Sequence, residues 1–148
     1  MRGAPIIPSG SARFGFLAMK TNRSIPDATV IPELSYPDVA AAVDWLCNAF
    51  GFTLRVRIGN HRAQLNAGDG ALVVREGELG HDRVMIRVDD ADAHCARAER
   101  AGARIVNRST DHPFGERQYT AEDFAGRQWV FSQTIADVAP EEWGGTRT

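Results

Sequence analysis

Val30-Ile31-Pro32-Glu33-Leu34-Ser35-Tyr36-Pro37-Asp38 and, 52 residues later, Asp82-Arg83-Val84-Met85-Ile86-Arg87-Val88-Asp89-Asp90 carry one pattern twice. In each, residues alternate as a half-buried strand requires, and Leu34, Tyr36 and Asp38 match Ile86, Val88 and Asp90. Asp38 is placed to cap a helix running to about Phe50, with Val39, Val43, Leu46, Cys47 and Phe50 on one face and Gly51 as the left-handed cap. Strands are predicted over 53–58, 62–66 and 71–75, the last two joined by a turn-forming Ala67-Gly68-Asp69-Gly70. After Asp90 the order returns: a helix ending at Gly102, then strands over 104–108, 116–121 and 128–133. The chain is thus an α+β protein of two tandem βαβββ modules, and pairing them leaves one face of a curved mixed sheet to enclose a cavity.

The boundaries follow: an N-terminal arm over 1–29, module one over 30–80, module two over 81–134, and a tail over 135–148. The arm carries Arg2, Arg13, Lys20 and Arg23 against Asp27, a charge of +3 in a chain whose total is -2. It is expected to pack on the domain or on a partner subunit. The 148 residues suit one domain, and 43% apolar with 24% charged residues allow a core. The near-neutral balance argues against nucleic-acid binding. No apolar run approaches the roughly 20 residues of a membrane span. Two cysteines, Cys47 and Cys95, both on apolar helical faces, read as core thiols in a reducing cytoplasm. His61, His94 and His112 share no ligand spacing.

The repeat resembles the vicinal oxygen chelate superfamily, the glyoxalase, bleomycin-resistance and dioxygenase group, and within it looks like the PhnB-like glyoxalase-related branch. The likeness is carried by Tyr36-Pro37-Asp38-Val39, Trp45 to Phe52, Ala63-Gln64-Leu65 and Gly68-Asp69-Gly70 in module one. In module two it is carried by Val88 to His94, Ala101-Gly102-Ala103, Phe114 to Tyr119 and Asp123 to Trp129. The resemblance implies the fold, a homodimer, and a cavity serving lyases, isomerases, dioxygenases or metal-free binding proteins.

Metal-dependent relatives take His, Glu or Gln ligands from the first and last strand of each module. Counting from the capping aspartates and hairpin glycines, the matching positions are Ile31, Val74, Arg83 and Val130, none of which suits a divalent ion. A register error of two would offer Glu33, Glu76, His81 and Gln128, but no single slip assembles that quartet. The expectation is therefore no cofactor, with a divalent metal as the alternative.

Strand parity places Ile31, Glu33 and Ser35, then Leu72, Val74 and Glu76, then Arg83, Met85 and Arg87, and finally Gln128, Val130 and Ser132 toward the cavity. Trp129 and Phe131 fall to the core side. The candidate ligand-binding residues are Glu33, Arg83, Met85, Gln128 and Val130, with Gln64, Arg117 and Tyr119 on the hairpins. Tyr119 or Phe114 is placed either to stack on a planar ligand or to fill core. Arg83 either holds an anionic ligand or pairs with Glu33 to plug the site. The leading expectation is a metal-independent binder of a planar or anionic small molecule, and the alternative is a metal-dependent lyase, isomerase or dioxygenase with displaced ligands. Trp143 in the tail is expected to clasp a partner or to fold back on its own subunit.

Overall fold

The computed structural model describes residues 20–124 and 126–148, so the expectation for the first 19 residues of the arm lies outside the described residues. The elements are β1 (Val30–Tyr36), α1 (Val39–Phe50), β2 (Thr53–Ile58), β3 (Arg62–Ala67), β4 (Gly70–Glu76), β5 (Arg83–Arg87), α2 (Ala91–Arg100), β6 (Arg104–His112), β7 (Glu116–Glu122) and β8 (Gln128–Thr134). A 3-10 turn (Pro140–Trp143) and a short β9 (Gly145–Arg147) close the chain. Among the described residues no helix is long and apolar enough to cross a membrane.

The nine strands among the described residues form one sheet, ordered β6-β7-β8-β5-β1-β4-β3-β2-β9. The two modules meet where β1 runs antiparallel to β5, and in each the first strand runs parallel to the last. At that seam Ile31 faces Met85 and Glu33 faces Arg83. Shifting each residue by the repeat of 52 exchanges these two pairs, so the sequence repeat is a local two-fold in the fold.

The helices cover one face of the sheet. Asp38 and Asp90 accept from the backbone N–H of Ala41 and Ala93, each at 3.0 Å, and so satisfy donors that a helix start leaves open. Helix α1 buries Val39, Ala42, Val43 and Leu46 on Ala63, Leu65, Leu72 and Val74. Phe50 departs from its expected core position: it is 60% exposed, edge-on to Trp45 with ring centroids 4.9 Å apart. Helix α2 brings only Ala91 and Cys95 to full burial, over Val88, Tyr119 and Ala121.

Under α2, His94 Nδ1 lies 2.5 Å from the Tyr119 hydroxyl and its ring sits 4.2 Å from that of Phe131. Burial first, then the charge of Arg97, holds His94 below its ordinary value, while burial pushes the Tyr119 phenol up to about 12. The unfolded chain therefore takes up a proton near pH 6.5 that the folded protein resists. This contribution is complete above that pH and is lost as pH falls toward the lower folded value. Urea unfolding at about pH 7.5 and about pH 5.5 should show wild-type stability falling more steeply with acid than that of His94→Gln. Equal slopes would remove His94 as the cause.

Candidate functional site

The other face of the sheet is covered by residues 20–29 and by the tail. Ile25, with Ala28 beside it, packs on Ile31, Val73, Met85 and Val130. The tail folds back on its own subunit: β9 pairs with β2, and Trp143 Nε1 donates to Ser24 Oγ at 2.5 Å. Between these segments and the sheet lies a cavity of about 260 Å³. Its roof is Ser24, Ile25, Pro26 and Trp143, its floor Val73 and Met85. Arg62, Arg83 and Gln64 line one side, and His112, Phe114 and Gln118 the other.

The aromatic side is continuous. His112 and Phe114 stack with centroids 5.0 Å apart and planes 12° from parallel, and Phe114 meets Trp143 at 5.1 Å. Opposite stands a charge cluster built on the strand registers. Glu33, 1% exposed, accepts at one carboxylate oxygen from Arg83 on β5 at 3.2 Å and from Arg62 on β3 at 3.4 Å. Glu33 sits below while both arginines reach the cavity, so the expected Arg83 pair with Glu33 exists and a cavity remains beside it.

Under module two the same face carries a buried polar network, in which Arg87 Nε alone has no hydrogen-bond partner among the described residues. Glu116, fully buried, accepts from Asn22 Nδ2 at 2.8 Å and from the hydroxyls of Ser132 and Thr134, each at 2.6 Å. Arg87 donates to Thr134 Oγ1 at 2.9 Å and to the carbonyl of Lys20 at 3.2 Å. These bonds tie residues 20–26 onto the sheet and so hold the cavity roof. Sequence reasoning gave no site role to Glu116 or Asn22: Glu116 is flanked in sequence by Gly115 and Arg117, and its hydroxyl partners lie on the neighbouring strand β8.

Of the expected site residues, Arg83, Met85 and Gln64 line the cavity, and Glu33 underlies it. Val130 is buried on the same face, packed in the Ile25 cluster. Gln128, the first residue of β8, is hydrogen-bonded to Glu122 and is not among the residues lining the cavity. Two expectations require correction. Tyr119 and Arg117 lie on the helix face, Tyr119 against Phe131 and His94, Arg117 paired with Asp92 and Asp111. Gln118, opposite Ser132, takes the inward place. Parity in β4 also shifts by one: Val74 packs under α1, and Val73, opposite Glu33 and Gln64, faces the cavity with Arg75, in place of Leu72, Val74 and Glu76. The physical reason is hairpin length. Ala67 pairs with Gly70 across two residues, whereas Glu122 pairs with Gln128 across five, so the two hairpin glycines are not equivalent positions.

With that shift, the four positions expected from the resemblance for metal ligands become Ile31, Val73, Arg83 and Val130. Three are hydrocarbon and close around Ile25, and the fourth is a cation, so the residues present do not fit a divalent ion. Glu76 and His81, the displaced-ligand candidates, are exposed. Among the described residues no group of three or more His, Cys, Asp or Glu side chains converges to hold a metal.

Residues 29–131, spanning both helices and the paired modules, match the family model of the Glyoxalase/Bleomycin resistance protein/Dioxygenase superfamily. The chain belongs to this superfamily. Among solved structures it is similar to TioX from Micromonospora sp. ML1, 36% identical over 73% of this chain and 99% of that one, with a TM-score of 0.36. A superfamily member from Vibrio splendidus 12B01 is 16% identical over 70% and 97% of the two chains, TM-score 0.55. Streptomyces coelicolor methylmalonyl-CoA epimerase is 16% identical over 76% and 98%, TM-score 0.61. The last two likenesses are of fold. No curated protein is significantly similar to the chain.

Proposed function

We propose that this superfamily member binds a planar small molecule in the cavity without a metal ion, as a sequestering protein or a pathway carrier. One observation carries the reading: the metal corner is filled by Ile25 packed on Ile31, Val73 and Val130, while beside it a cavity is kept open between an aromatic wall and two arginines. A collapsed scaffold would have no reason to preserve that wall. Stacking of a flat ring on Phe114 and Trp143 supplies dispersion and quadrupole contact beyond simple burial.

The test is calorimetric titration of bicyclic aromatic compounds into protein stripped with chelator, and into the same protein loaded with zinc, nickel, manganese or iron. Saturable binding that metal leaves unchanged is the expected result. Trp143→Ala and Phe114→Ala should each weaken it about tenfold, the equivalent of one lost ring contact. Stoichiometric metal uptake with binding or turnover only in the loaded protein would overturn the proposal and restore the enzyme alternative.

A further inference from the structure

We infer that the ligand is a planar aromatic carboxylic acid, its ring against Phe114 and Trp143 and its carboxylate on the guanidiniums of Arg62 and Arg83. The inference rests on the binding reading above and adds the charge and chemical class of the ligand.

Charge is unbalanced on the cavity face. Three arginines gather on the cavity face around Glu33: Arg62 and Arg83 bonded to it, and Arg75 directly opposite Arg62 across the β3–β4 register. The carboxylates in this cluster are Glu33 and Asp82, and Asp82 is also engaged by the backbone N–H of Ser35 at 2.9 Å. Three guanidiniums against two carboxylates leave one positive charge in excess on this face, where Arg62 and Arg83 line the cavity and Arg75, outside the lining, donates to the carbonyl of His81. Arg75 registers the crowding: burial first, then repulsion from Arg83, draws it below its ordinary value, and its Nε finds no acceptor among the described residues. A positive excess in a site shielded from water draws a counter-anion.

The ligand's remaining features follow from shape. A single excess charge matches a carboxylate, whereas a phosphate monoester brings about -1.5 to -2. Arginine presents a planar fork that a planar carboxylate meets bidentately, coplanar with an attached aromatic ring. The cavity, about 260 Å³, lies at the small end of ligand pockets, which run from about 300 to 1,000 Å³, so it takes one or two rings.

The test titrates the full chain, in chelator, with 2-naphthoate, with the isosteric neutral naphthalene-2-carboxamide, and with inorganic phosphate. The acid is expected to bind at least tenfold more tightly than the amide, with the advantage shrinking as salt is raised. Arg83→Gln and Arg62→Gln should each reduce that advantage severalfold while leaving amide affinity in place, which also shows that the variants are folded. Equal affinity of acid and amide for the wild type, a comparison that needs no variant, would overturn the inference and leave the binding reading standing. Phosphate displacing naphthoate at equal concentration would overturn the assignment to a carboxylate. Binding of neither aromatic compound would defeat both this inference and the proposed function.

Discussion

Glu116→Ala is expected to destabilise the protein by about 3–5 kcal/mol, a large part of the roughly 5–15 kcal/mol that holds a domain of this size. The carboxylate is wholly buried and accepts from Asn22, Ser132 and Thr134 at 2.6 to 2.8 Å. Alanine leaves three donors facing hydrocarbon or a void, each costing about 1–3 kcal/mol when unsatisfied, offset in part where a hydroxyl can turn to another acceptor. Arg87, 3% exposed and ion-paired with the exposed Asp27 at 3.6 Å, donates to Thr134 Oγ1, so the change also disturbs the acceptor that this arginine uses. Glu116→Gln keeps shape and one acceptor oxygen and should cost about half as much. Denaturant unfolding measures both. Because Asn22 joins this network to the cavity roof at Ser24 to Pro26, ligand affinity should fall in Glu116→Ala even where the protein remains folded. Unchanged stability would show that the network is dispensable and that the roof is held by Ile25 packing alone.

The residues that were legible in sequence are those on which one strong local signal acted. Asp38 and Asp90 announce helix starts because short acceptors at that place answer open backbone donors, and the repeat of 52 between them aligns β1 with β5. The facing of Glu33 and Arg83 follows from that alignment, as does the hydrocarbon side chain at Ile31. Parity failed where alternation was missing. Leu72-Val73-Val74 is apolar throughout, since β4 is buried on both faces, and such a run carries no period of two. In β7 the alternation is present with its polarity set against expectation. Glu116, Gln118 and Thr120 turn toward the covered concave face, and Tyr119 and Ala121 go under α2. The roof was beyond reach for a different reason: Ser24, Ile25 and Pro26 lie in a segment with no periodicity, and Trp143 reaches the cavity only because β9 pairs with β2, a contact between chain positions some 90 residues apart. Expectations about which residues of β1 and β5 face the cavity side therefore held, while most of the cavity wall had to be found in three dimensions.

Gly115→Ala is the second change with a large expected effect, about 3 kcal/mol, and it separates two causes that glycine substitutions usually confound. Gly115 joins Phe114 of the cavity wall to Glu116 of the buried network, with φ at +85°. Its carbonyl accepts from the N–H groups of Ile135 at 2.9 Å and Ala136 at 3.2 Å, fixing the start of the tail against the β6–β7 turn. A Cβ there would overlap the carbonyl oxygen of Ala136 and stand 2.9 Å from Val138 Cγ2 and 3.1 Å from Asn22 Nδ2. The carbonyl is backbone and cannot rotate aside, so tail or turn must shift, and either movement pulls on Asn22 and Trp143. Gly51 supplies the control. It has a similar φ of +74° but open space where a Cβ would stand, so Gly51→Ala bears only the conformational cost of about 1 kcal/mol. The difference between the two variants in denaturant unfolding isolates the steric part, and a further loss of ligand affinity is expected in Gly115→Ala alone. Equal destabilisation by both would mean that the tail yields freely, and Trp143 would then be a mobile element of the cavity wall in place of a fixed one.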